Sequence, residues 1–145
     1  MSFPEPVPGL VIRYAYLWHD ERWRKIEEGA KDRPCLVVVA VRREGAATMV
    51  TVVPITTRAP TADSLAIKMS VDVKRRLGLN DTSPSWVITN DVNEFAWPGP
   101  DLRLAKPGSS ARAAYGLIPR AMFYDVRDAV LKHAKAGTLR RGRRK

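Results

Sequence analysis

The stretch KDRPCLVVVAV, residues 31–41, decides the fold. A charged tripeptide, Lys31-Asp32-Arg33, meets Pro34, and an apolar run of almost pure β-branched character follows. The run from Cys35 to Val41 is too continuously apolar to leave a wet face, so it reads as a buried strand. A turn at Glu44-Gly45 and a second run, ATMVTVVPI (47–55), make residues 33–55 a hairpin. Toward the N-terminus, Pro8-Gly9 signals a turn and LVIRYAYLW (10–18) a first strand. Between the two lies HDERWRKIEEGA (19–30), polar, with Trp23 and Ile26 three apart. It predicts one or two helical turns within a long connection. Toward the C-terminus, TTRAPTAD is a polar loop and SLAIKM a short alternating strand. Ser70 reads as the N-cap of a helix over VDVKRRL that closes at Gly78. SWVITNDVNEFAW (85–97) has two strand-like halves around Thr89-Asn90-Asp91, PGPDLRLAKPGSS is loop, and YGLIP is a short strand. Pro119 opens the best helix, with Met122, Val126, Ala129, Val130 and His133 on one face and Gly137 at its end. Many short strands with one C-terminal helix predict a mainly β fold. The expected architecture is a small, curled antiparallel barrel with helices on its outside.

Length and composition bound the rest. The 145 residues suit one domain with a real core, over residues 1–137, followed by a basic, disordered tail, 138–145. That tail supplies five cations (Arg140, Arg141, Arg143, Arg144 and Lys145), half of the net charge of +10. The body remains basic without it, which points to a polyanionic partner. No apolar run approaches the ~20 residues of a membrane helix. MSFPEPVPGL lacks a basic segment followed by an apolar one, so no signal peptide and a cytoplasmic location are expected. Cys35 is the sole cysteine, which excludes an internal disulfide and a cysteine-based zinc cage. His19 and His133 are far apart and in no metal-binding spacing, so neither metal nor cofactor is expected.

Pro8-Gly9 before the first strand, Arg33-Pro34 opening a Val-rich second strand, and VVPITTR (52–58) closing the third together resemble the MazF/PemK toxins of bacterial type II toxin–antitoxin systems. The resemblance covers about residues 8–135. It implies an SH3-like barrel of the MazF/CcdB type, a homodimer, and metal-independent endoribonuclease cleavage of single-stranded RNA. It also implies a cognate antitoxin whose tail occupies the RNA groove. By the same resemblance Arg33 and Thr56 take the places of the family's catalytic arginine and threonine. RNA cleaves itself by attack of its 2′-hydroxyl on the adjacent phosphorus. The protein must manage two protons and the charge that builds on the phosphate. Arginine offers a planar fork of donors for that phosphate, and threonine one hydroxyl. Arginine's pKa above ~12 assigns it mainly to charge stabilisation and leaves its part in proton transfer open. Pro34 stiffens the start of the strand and narrows the conformations open to Arg33.

Lys31, Thr57, Arg58, Asn93 and Trp97 are the candidate RNA-binding residues around that pair. Trp86 reads as core, Lys68 and Arg13 as solvated charges, and Trp18 and Trp23 as contacts for a partner. The sequence departs from the family at DVNEFAW: Asn93 and Glu94 stand where many members carry a basic residue, which removes a phosphate contact and adds an acid near the groove. Two other readings stand beside the ribonuclease. One is a CcdB-like gyrase inhibitor, disfavoured because AKAGTLRRGRRK lacks the apolar and aromatic helix end it needs. The other is a barrel that binds RNA or protein without catalysis, in keeping with Asn93 and Glu94.

Overall fold

A computed structural model describes residues 3–80, 82–106 and 113–145. The deciding stretch forms β2 (Lys31–Val41), flanked antiparallel by β1 (Leu10–Tyr16) and β3 (Met49–Thr56). Its unbroken apolarity has a simple cause, because both faces are covered. Cys35 and Val37 enter one core cluster with Ile12, Tyr14, Tyr16, Val50, Val52 and Phe95. Leu36 and Val38 enter a second with Val11, Val53, Ile55, Val126 and Val130. Each valine buried in this way contributes about 1.5–3 kcal/mol. A register shift between Val37 and Val39 then turns the strand outward. Beyond it Val39 and Val41 are 44% and 43% exposed, so the last part of the run does have a wet face.

The remaining strands are β4 (Ala66–Lys68), β5 (Trp86–Ile88), β6 (Asp91–Ala96), β7 (Leu102–Arg103), β8 (Gly116–Leu117) and β9 (Arg140–Arg143). Among the described residues the sheet runs β4-β5-β3-β2-β1-β7, with β6 also on β3, β8 on β1 and β9 on β6. The two ends of β3 part company: Met49–Val52 pair with β6, and Ile55 and Thr56 pair with β5. This split lets the sheet curl until β1 and β6, which share no ladder, meet across the first cluster. Tyr14 stacks on Phe95 at 4.3 Å between ring centroids, and the Tyr16 hydroxyl donates to Asp91.

Among the described residues three α-helices complete the fold. α1 (Glu21–Ile26) is capped by Asp20, whose side chain accepts from Arg22 N–H. α2 (Val71–Leu77) starts at Ser70 and ends at Gly78, in the left-handed conformation (φ 73°) that glycine adopts without a Cβ penalty. α3 (Arg120–Ala136) seats Val126 and Val130 on the second cluster. On the face expected to be apolar, Ala129 and His133 lie instead beside Ser64 and Ile67, and the His133 ring bonds Ser64 O at 2.9 Å.

Two expectations need correction. The stretch from Pro98 is not all loop, because Leu102 and Arg103 pair with β1; residues 107–110 of it lie outside the described residues. The tail is not disordered over its whole length. Residues 140–143 form β9, parallel to β6, with Arg140 N–H donating to Asn90 O and Arg144 N–H to Glu94 O. Charge density alone reads as solvation; here backbone pairing and the anchorage of Arg144 outweigh it.

Candidate active site

Arg33 lies opposite Tyr14 in the β1–β2 ladder and shares the strand face of Cys35 and Val37. Its side chain is therefore directed to the mouth of the first cluster and is only 7% exposed. The guanidinium lies over the Trp18 ring, 5.3 Å from its centroid, and its Nη2 pairs with Glu27 Oε2. Arg33 Nε is buried without a partner among the described residues. Glu27 also accepts a 3.0 Å hydrogen bond from Trp18 Nε1–H, and Trp18 stacks on Trp23 at 4.3 Å. Burial alone would raise the Glu27 carboxyl. The Trp18 hydrogen bond and the Arg33 and Lys31 charges together outweigh it and hold the group below the usual carboxylate range.

Thr56 ends β3. Cys35 pairs with Pro54, so continuing that register two residues outward on each strand sets Thr56 across from Arg33. Thr56 is buried, and its Oγ1 accepts from Arg58 N–H at 3.1 Å, which leaves its own hydroxyl hydrogen to donate. A cleft of about 430 Å³ opens here, lined by Glu27, Lys31, Arg33 and Asp32 on one side and Thr56, Thr57 and Arg58 on the other. Its cations are Lys31, Arg33 and Arg58. Of its two acids, Glu27 is tied to Arg33, and Asp32 lies 3.6 Å from Arg103 and 4.0 Å from Arg13.

The structure thus brings together Arg33, Thr56, Lys31, Thr57 and Arg58. It does not bring Asn93 or Trp97 to them. Asn93 is fully buried; its Oδ1 accepts from Leu17 N–H at 3.0 Å and its Nδ2 donates to Leu17 O at 2.8 Å, so both ends of its amide hold backbone. Trp97 packs on Phe95 and against the edge of Phe3, at the rim of the first cluster. Glu94 does not line the cleft; it lies 3.9 Å from Arg141. The acid that faces the arginine is Glu27. Trp18 and Trp23, expected to await a partner, are 1% and 7% exposed and form the wall behind Arg33.

Asp91 explains how that wall is held. It is fully buried and accepts from the Tyr16 hydroxyl, from His19 N–H at 3.0 Å and from Asp20 N–H at 2.7 Å. Burial pushes its carboxyl up to about 6, against the opposing effect of these hydrogen bonds. With Asn93 it fixes residues 17–20, and hence the start of α1 and the position of Glu27. The sequence carried one signal for this, the N-cap Asp20 ahead of a short helical stretch. Nothing in it marked Glu27. Among the described residues no group of three His, Cys, Asp or Glu side chains converges as a metal ion would need, and no helix is long and apolar enough to cross a membrane.

These features define a small protein built on a curled β-sheet, with an anion-receptive cleft where the central hairpin opens. The sequence pattern of the PemK-like, MazF-like toxins of type II toxin–antitoxin systems matches residues 20–96, from the cap of α1 to the end of β6. That span is more than half of the chain, and the chain belongs to this family. No curated protein matches it significantly.

Proposed function

We propose that this protein is the toxin of a toxin–antitoxin pair and acts as a metal-independent endoribonuclease on single-stranded RNA, as a cytoplasmic homodimer restrained by a cognate antitoxin. The observation that carries the reading is the shared cleft: Arg33 and Thr56, remote in sequence, line one cavity with Lys31 and Arg58. In the proposed reaction the RNA 2′-oxygen attacks the adjacent phosphorus and the bond to the 5′-oxygen breaks, leaving a 2′,3′-cyclic phosphate and a 5′-hydroxyl. Glu27 is the acceptor for the 2′-hydroxyl proton, and water at the open side of the cleft protonates the leaving oxygen. Arg33 donates to the phosphoryl oxygen on which charge develops, and Thr56 adds a second donor. Lys31, Thr57 and Arg58 hold flanking phosphates. An arginine held in place by Glu27 and Trp18 at the wall of the cleft is a preorganised donor for this task.

The test is cleavage of a long RNA in EDTA. Arg33→Ala should lower the rate by about 10²–10³, the cost of one lost transition-state donor. Thr56→Val, which keeps the shape, should lower it less. Cleavage that requires Mg²⁺, or that survives Arg33→Ala undiminished, rejects the mechanism. A folded protein that binds RNA without cutting it returns the non-catalytic reading.

A further inference from the structure

Five cations stand among the last six residues, and their mutual repulsion opposes any ordered docking. The fold docks them nevertheless. Arg144, with a side chain 16% exposed, donates to Ala15 O at 2.9 Å and pairs with Asp101 at 3.0 Å. Gly142 lies so close on His19 that a Cβ there would overlap the imidazole. These anchors occupy Gly142 and Arg144 and leave Arg140, Arg141 and Arg143 exposed. Arg140 joins Arg22, Arg24 and His19 around a depression of about 560 Å³. The local acids are mostly engaged: Asp20 is buried, caps α1 and accepts from Asn90, and Glu94 lies near Arg141. Glu21 is the exposed acid on the rim. This depression borders the start of α1, while Glu27, just past its other end, lines the cleft. A helix of this length spans about 9 Å.

We propose that β9 and the first turn of α1 form a second RNA site, an exosite that grips the phosphate backbone outside the segment held in the cleft. It rests on the ribonuclease reading above and names how that activity gains a longer substrate. The chemistry favours a polyphosphate. Every exposed cation of the strand is an arginine, whose planar fork of donors matches phosphate oxygens. Arg140 and the pair Arg141 and Arg143 project from opposite faces of β9, so the ligand must be flexible and charged at every step. A single strand leaving the cleft along α1, past Lys25 and Arg24, meets that requirement.

The experiment compares the full chain with Arg140→Gln/Arg141→Gln/Arg143→Gln, which keeps Gly142 and Arg144. A second variant, Arg22→Gln/Arg24→Gln, probes the opposite wall and leaves the tail intact. The probes are 2′-O-methyl oligouridylates, which self-cleavage chemistry cannot cut, of about 30 and about 4 nucleotides. For the long probe the triple variant should bind about tenfold more weakly, and its slope of log K against log salt should fall by about 2. The α1 variant should lose affinity in the same direction, and the short probe should be indifferent to both. Unchanged long-probe binding in both variants overturns the exosite, as does an equal loss for the two lengths. Intact RNA binding with lost affinity for an acidic peptide also overturns it, and assigns the surface to a protein. Wild-type protein that uses β9 to bind but cleaves no RNA keeps the exosite and removes the ribonuclease; cleavage indifferent to β9 does the reverse.

Discussion

Glu27→Ala is the most informative single change. Arg33 is 6% exposed, and Glu27 is its ion-pair partner. Removing one member of a buried pair costs about 3–5 kcal/mol, because the other is left as an uncompensated charge. Water reaches the outer edge of this cleft, so the lower end of that range applies, about 3 kcal/mol. For a chain of this size that is a fall of about 10 °C in Tm. The pH dependence has a definite sign. Glu27 titrates below its ordinary 4.5 in the folded protein. The pair's contribution is therefore complete above about pH 4.5 and is lost as pH falls through the lower folded value. Urea unfolding of wild type and Glu27→Ala should differ most near neutrality, and the gap should shrink as pH falls through the lowered Glu27 value. Glu27→Ala/Arg33→Ala should recover much of the loss, since removing both charges removes the burial penalty too. A gap under about 1 kcal/mol at neutral pH, or one of constant size down to acid, refutes the picture of a buried, mutually dependent pair.

Three further outcomes are expected. Burial pushes Asp91 up to about 6 from its ordinary 3.8, so it favours the fold most in acid, and about 3 kcal/mol is lost as pH rises from about 3.8 through about 6. Asp91→Asn, which keeps an acceptor for the His19 and Asp20 N–H groups, should flatten that part of the stability profile; an unchanged profile rejects the buried-carboxylate account. Gly142→Ala should undock β9, read as fast hydrogen exchange at the Arg140 and Arg144 amides, and full protection would show that His19 yields instead. Cys35 is fully buried, and burial pushes its thiol up, so native protein should resist alkylation that denaturant makes complete.

The legible parts of this chain were those decided locally. The β2–β3 hairpin, the caps of α2 and the limits of α3 follow from apolar period, Ser70, Gly78, Pro119 and Gly137, and each lies where the sequence puts it. Arg33 and Thr56 were paired by the family resemblance, and the hairpin, continued from the Cys35–Pro54 pair, is what sets them across from each other. Asn93 was misread because alternation along β6 separates two faces but does not say which one the curl encloses. The tail was misread because its charge is local and its anchors are not. Ala15 and Glu94 supply them from two strands, and Asn90 and Asp101 from two turns.

Two of the buried polar groups of the fold lie not in the cleft but behind it. A carboxylate held up to about 6 and a fully buried amide, Asp91 and Asn93, would be replaced by apolar residues if stability alone were at issue. What they do is hold backbone: Leu17, His19 and Asp20 hang from them, α1 hangs from Asp20, and the Trp18–Trp23 stack and Glu27 follow α1. Arg33 is then fixed from two sides, by its own strand and by a polar connection with little apolar surface to order it. A connection of that composition would otherwise be mobile. Any change at Asp91 or Asn93 should therefore reach the cleft through the position of Glu27, without either residue touching a substrate. Asp91→Ala should disturb the environment of Trp18 and Trp23, read by their fluorescence, together with RNA cleavage. Loss of cleavage with unaltered tryptophan emission would break this chain of support at α1.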